Sequence, residues 1–285
     1  MMRVNKFAQA FKSRLQIMKS IDQFRLPTAV LKRLYLNKII VSEKSQDLGR
    51  IIKKHPKLVI ALNHGPMAGA LAGLIGVTEM FLKHGGATRR PFGITWRGFY
   101  DFPISKQVLA YLTQVDKGVN FDEASHLLTN TEFTDCFIMP EGELCNVGNG
   151  LNIQAFLSPR FIELAIRSQT PVLIVAHQGS EDWAWPVPVH DKLKPLLKWL
   201  PKNIKDSFDD SGIISIPKPF RKKLDKLYMS FHLYRPKLDA ADLASDMNER
   251  MIQLNIEAEK VRKKMQKMVN QLSLERAEES QNTSY

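Results

Sequence analysis

The strongest constraint on this chain's fold is a set of short, wholly apolar runs that each end abruptly at turn or proton-transfer residues. Leu58 to Leu62 is apolar at every position and closes on Asn63 and His64. Cys136 to Met139 closes on Pro140-Glu141-Gly142, and Pro171 to Ala176 forms a third run. A strand with water on one side alternates apolar and polar residues. A strand that is apolar throughout is covered on both faces, as in a parallel sheet. Between these runs, Pro66–Lys83, Ile104–Leu112, Phe121–Thr129 and Pro159–Arg167 read as helices. Shorter strands are expected at Phe92–Trp96, Thr113–Asp116 and Ile213–Ile216, and a surface excursion at Lys192–Ser211. The alternation predicts an α/β fold with a largely parallel sheet flanked by helices.

The two ends differ from this middle. Val4, Phe7, Phe11, Leu15 and Met18 recur at spacings of 3 and 4, with Lys6, Lys12 and Lys19 on the other faces. That pattern is a basic amphipathic helix, able either to lie in a membrane interface or to pack on the protein's own body. Thr28–Val41 reads as a second helix. Residues 1–54 hold 13 Lys and Arg against 3 Asp and Glu, so +10 of the net charge of +12 lies there. A basic end on a near-neutral body predicts docking on an anionic surface. Asp239 to Leu272 reads as a charged helix, and the last dozen residues as a disordered polar tail. The expected organisation is thus a basic helical segment at 1–54, an α/β domain at 55–236, and a C-terminal helix with its tail at 237–285.

Several classes are excluded by composition. No apolar run approaches the roughly 20 residues needed to span a bilayer, and the first thirty residues show no signal-peptide core. Cys136 and Cys145 are the only cysteines, too few for a disulfide framework or a zinc site, and they suit a reducing intracellular compartment. No nucleic-acid-binding motif accompanies the basic charge, so nucleic acid is not an expected partner.

His64 follows a strand and precedes a helix, which places it at a sheet edge facing a cleft, where it can take a proton. The Glu-Gly turn is expected at the same edge. The chain resembles the glycerolipid acyltransferase superfamily over residues 55 to 180. The matching blocks, in order, are Val59 to His64, Trp96-Arg97 with Phe102-Pro103, Val115-Asp116-Lys117, Phe137 to Gly142, and Arg160 to Val175. The resemblance implies acyl transfer from a thioester, acyl-CoA or acyl-carrier protein, to a lysophospholipid or related alcohol. It implies a peripheral enzyme on the cytoplasmic face of a membrane, with no metal and no cofactor beyond the acyl donor. It makes His64 the general base and Glu141 a second catalytic residue, with Glu141 and Gly142 in the acceptor and oxyanion region. Lys117 stands where the family has a phosphate-binding Arg, Arg97 is a second cationic contact, and Glu143 and Gly142 are further substrate-binding residues.

Two positions depart from the family pattern. The family has Asp five residues after its His, where this chain has Gly69. After Pro-Glu-Gly the family continues Thr-Arg-Ser, where this chain has Glu143-Leu144-Cys145. Neutralising the carboxylate that orients a catalytic His costs about 10⁴ in rate in the serine-protease triad. Either another group orients His64 (Asp116, Glu141, Glu143 or a backbone carbonyl), or the chain is a catalytically impaired, lipid-binding relative.

Overall fold

The computed structural model describes residues 18–66, 68–95, 97–101, 103–189, 211–218 and 222–282. The described strands are β1 (Leu36–Val41), β2 (Leu58–Leu62), β3 (Pro91–Gly93), β4 (Asp135–Ile138), β5 (Val172–Gln178), β6 (Ala184–Pro188), β7 (Ile213–Pro217) and β8 (Leu224–Tyr234). The described helices are α1 (Arg25–Tyr35), α2 (Leu48–Lys54), α3 (Gly69–Lys83), α4 (Pro103–Thr113), α5 (Phe121–Asn130), α6 (Arg160–Arg167) and α7 (Met247–Asn282). Six strands form one sheet in the order β1-β8-β5-β2-β4-β3, and β6 pairs with β7 as a separate two-stranded ribbon.

The central run β5-β2-β4-β3 is parallel throughout. Leu58 pairs with Asp135 and Ala61 with Ile138, so β2 and β4 end at one edge. β8 pairs antiparallel with β5, and β1 joins β8 in parallel. All residues of β2 and β5 are buried; β2 is apolar throughout and β5 through Ala176, with His177 and Gln178 buried at its end. One core layer lies between the sheet and α6 and α7, built on Val59, Ala61, Ile162, Val261, Met265 and Leu272. The other lies beneath α1, α2 and α3, built on Leu58, Ile60, Leu62, Phe81, Val175 and Met229.

Three expectations are corrected. The helix expected over Thr28–Val41 ends at Tyr35, and Leu36–Val41 is edge strand β1. Leu36, Ile39 and Ile40 fit helical spacing, but pairing with β8 gives their backbone its hydrogen bonds. No strand forms at Thr113–Asp116. α4 runs through Thr113, and Gln114 then turns at φ 58°, its side-chain amide donating to the carbonyls of Lys19 (2.8 Å) and Pro91 (2.7 Å). The C-terminal helix begins at Met247, not Asp239, and continues to Asn282 where a disordered tail was expected. Its last turns are held: Glu279 accepts from Tyr228 and pairs with Lys226 at 2.8 Å. The helix expected at Val4–Met18, Met18 apart, and the excursion at Lys192–Ser211, Ser211 apart, lie outside the described residues.

Candidate active site

The parallel pairing of β2 and β4 carries the C-terminal ends of both strands to the same edge, and the Pro-Glu-Gly turn closes on the His64 loop. Glu141 accepts the backbone N–H of His64 at 3.0 Å through one oxygen and that of Gln154 at 2.9 Å through the other. Its carboxyl group is buried, and burial lifts its pKa to about 6 against the pull of those two N–H groups and of Arg262. Glu141 therefore grips the main chain that carries His64.

The imidazole is oriented from within its own loop. His64 Nδ1 lies 2.9 Å from the Gly65 carbonyl oxygen. A carbonyl only accepts, so Nδ1 carries the hydrogen and Nε2 keeps its lone pair. Gly65 brings its carbonyl to the ring by adopting φ 63°, a left-handed conformation that other residues pay for in steric strain. Partial burial holds the His64 pKa below its ordinary 6.5, so the ring is neutral near pH 7. A neutral ring with a free Nε2 is the form a general base needs.

Beneath this loop lies a second histidine. His177, the sixth residue of β5, is buried, and its Nε2 donates to the Asn63 carbonyl at 3.0 Å. The Asn63 side chain accepts the His177 N–H at 2.7 Å and donates to the His177 carbonyl at 3.0 Å. Ser180 Oγ stands 3.4 Å from His177 Nδ1. Burial lowers the His177 pKa to about 4, so this ring stays neutral and acts as a fixed strut.

Gly69 occupies the position where the acyltransferase pattern has Asp. A Cβ there would sit 2.8 Å from Ser180 Oγ and 2.9 Å from the His64 carbonyl oxygen. The space a carboxylate would need is filled by Ser180 and by backbone.

The other expected residues are placed as follows. Gly142 takes φ 52°, and its N–H is committed to the Met139 carbonyl at 3.2 Å. Glu143 is exposed in the short 3₁₀ turn Gly142–Asn146. Lys117 pairs with Glu123 at 2.7 Å beside the N-terminal turn of α5, a contact that draws it to that helix. Arg97 opens the 3₁₀ turn Arg97–Tyr100. Asp116 is exposed, and the described contacts of the imidazole include no carboxylate. The structure thus joins His64 to Glu141 and provides no described contact from Lys117 or Glu143 to that pair. Among the described residues no group of His, Cys, Asp and Glu could hold a metal ion.

The residues absent from the sequence reading are Gly65, Gln154, Ser180 and the α7 side chains Arg262 and Gln266. Gln266 accepts the Ile153 N–H at 2.7 Å and donates to the Leu151 carbonyl at 3.1 Å, while Arg262 donates to the Ile153 carbonyl at 3.0 Å. The one available signal was positional: Gly65 and Ser180 both follow buried strands that end at the site edge.

Comparison of the chain with protein-family models, with curated proteins and with solved structures gave no match.

Proposed function

We propose that this chain is an acyltransferase that moves a fatty acyl group from a thioester, acyl-CoA or acyl-carrier protein, to a lysophospholipid or related alcohol at a membrane surface. The observation that carries this reading is the His64 ring, fixed through Nδ1 on the Gly65 carbonyl with Nε2 left as base. In this reading Nε2 takes the acceptor's hydroxyl proton as the oxygen attacks the thioester carbonyl carbon. The C–S bond then breaks, and the imidazolium returns the proton to the departing sulfur. Glu141 is a positioning residue, since both its oxygens hold backbone N–H groups. Arg97 and Lys117 are the proposed cationic contacts for acceptor phosphate. Gly142 and Glu143 border the acceptor site. Peripheral docking on the cytoplasmic face of a membrane fits the basic N-terminal charge, and no helix among the described residues is long and apolar enough to cross a bilayer.

A second reading has one observation in its favour: the carbonyl that orients His64 is neutral and stabilises imidazolium less than a carboxylate would. The chain would then bind an acyl lipid without turning it over. Thioester consumption decides between them, using long-chain acyl-CoA and acyl-carrier-protein donors with lysophospholipid in liposomes. Acceptor-dependent turnover that His64→Ala abolishes establishes the enzyme. Saturable lipid binding with no turnover in either protein establishes the binding relative.

A further inference from the structure

α1 packs one face on the body, and among the described residues nothing covers the other. Thr28 is buried, Leu31 and Tyr35 pack on the core, and Lys32 reaches Glu79 of α3 at 2.7 Å. The opposite face presents Leu26, Val30 and Leu34, at 74%, 50% and 60% exposure, spaced four residues apart along one ridge. α4 adds Val108, Tyr111 and Leu112 at 54%, 36% and 45% exposure. The two helices are joined where Phe24, just before α1, meets the Tyr111 ring edge-on at 5.3 Å, with the Lys19 amine 4.1 Å from the same ring centroid.

Charge tells what kind of surface this face meets. The cations on this side are Lys19, Arg25 and Arg33, with Asp22 taken by Arg25 at 2.7 Å, while Lys32 turns inward to Glu79 and Lys38 lies near Glu279 of α7. α4 adds Lys106 and no acid. The chain that leads into Lys19 continues the trend, with Arg3, Lys6, Lys12 and Arg14 and no acid among residues 1–17. Apolar ridges rimmed by cations suit the interface of an anionic bilayer, where side chains enter the acyl boundary and Lys and Arg meet the headgroups. A second copy of the chain would bring the same cations face to face, which disfavours it.

We propose that the outer face of α1, together with Val108, Tyr111 and Leu112 of α4, is the surface by which the protein docks on anionic lipid. The proposal deepens the membrane partner named above and rests on that reading, but its test needs no turnover.

The experiment is sedimentation of the full chain with phosphatidylcholine vesicles and with vesicles containing about a third phosphatidylserine. Two variants are compared, the triple L26Q/V30Q/L34Q and the double R33Q/K106Q. Wild type is expected to bind anionic vesicles at least tenfold more tightly than neutral ones. The apolar variant should lose at least tenfold in affinity. The cationic variant should lose about thirtyfold, from about 1 kcal/mol per charge at the membrane surface, and much of the salt dependence with it. Unfolding midpoints confirm the fold, and the single variant L26Q replaces the triple if that proves unstable. Unchanged vesicle binding in both variants overturns the proposal in favour of another docking surface. Equal wild-type binding to neutral vesicles overturns it, as does a lipid-free dimer that the apolar triple converts to monomer. Intact, ridge-dependent docking without acyl transfer to any acceptor would refute the enzymatic reading alone. Turnover on a water-soluble acceptor without vesicle binding would refute the docking alone.

Discussion

At the residue scale, three buried or half-buried groups titrate away from their ordinary values, and they do not pull in the same direction. His64 is held below 6.5 by partial burial. As a general base it stays neutral when the pH falls below that value, so the acid limb of kcat/KM should have its midpoint under 6.5; a midpoint above it would show that His64 is not the titrating base. Glu141 and His177 affect stability in opposite senses. The folded Glu141, at about 6, keeps a proton that the unfolded chain releases from 4.5 upward, so its contribution falls by about 1 kcal/mol as pH rises from 4.5 to 6. The folded His177, at about 4, stays neutral while the unfolded chain takes up a proton below 6.5. Its contribution therefore falls by about 3 kcal/mol as pH drops from 6.5 to 4. Removing one group exposes the other. From pH 6 to 4.5, Glu141→Gln should lose about 1 kcal/mol more stability than wild type, whereas His177→Gln should lose less than wild type. Urea unfolding across this range measures both slopes, and parallel curves for all three proteins would contradict the burial of these side chains.

At the element scale, the site is a meeting of strand ends, and the strand ends were the part the sequence displayed. β2, β4 and β5 are apolar at nearly every position because helices cover both faces, so composition alone marks them, and the parallel register then brings His64 to Glu141. β1 and β8 were not legible. β1 is an edge strand whose apolar residues match helical spacing by coincidence, and β8 mixes Asp225, Lys226 and Ser230 into its run. A backbone carbonyl was one of four groups the sequence left open for orienting His64, and which of them acts was hidden, because a carbonyl leaves no side-chain signature; only a Gly after the His marks it. The Gly65 turn is the element to test. Gly65→Ala would force an L side chain into φ 63° and put its Cβ 2.5 Å from Ser180 Oγ. The left-handed conformation alone costs about 1–2 kcal/mol, and any shift of the turn withdraws the carbonyl from Nδ1. The expected result is a lower unfolding midpoint with loss of turnover greater than the loss of folded protein. Gly69→Asp, which would restore the acyltransferase pattern on paper, is expected to lower stability and not to raise kcat, because its Cβ meets the His64 carbonyl oxygen at 2.9 Å. A rise in kcat on that substitution would show that the loop has room the structure denies.

At the scale of the whole molecule, α7 connects the core to the site. Its inner face buries Leu254, Val261, Met265 and Leu272 completely in the layer beneath β5 and β8. Its polar side chains reach two site loops: Gln266 and Arg262 hold residues 151–153, and Arg276 pairs with Glu181 (2.6 Å) and Asp182 (2.8 Å) just after Ser180. From Gln266 the connection passes through Ile153 to Gln154, whose N–H Glu141 accepts, and from Glu141 to the His64 N–H. Stability and positioning should therefore separate along one helix. Leu272→Ala removes a fully buried side chain and is expected to cost about 2–5 kcal/mol, with the remaining folded protein as active as wild type. Gln266→Ala removes only half-buried polar atoms, so its effect on the unfolding midpoint should be small. It does release the 151–153 loop, and with it one of the two groups that fix the Glu141 carboxylate. The expected outcome is a fall in kcat with KM for the thioester little changed, since the loss falls on the placement of the base and not on donor binding. If Gln266→Ala instead raised KM alone, the 151–153 loop would belong to a substrate site, and the path from α7 through Glu141 to His64 would carry no catalytic weight.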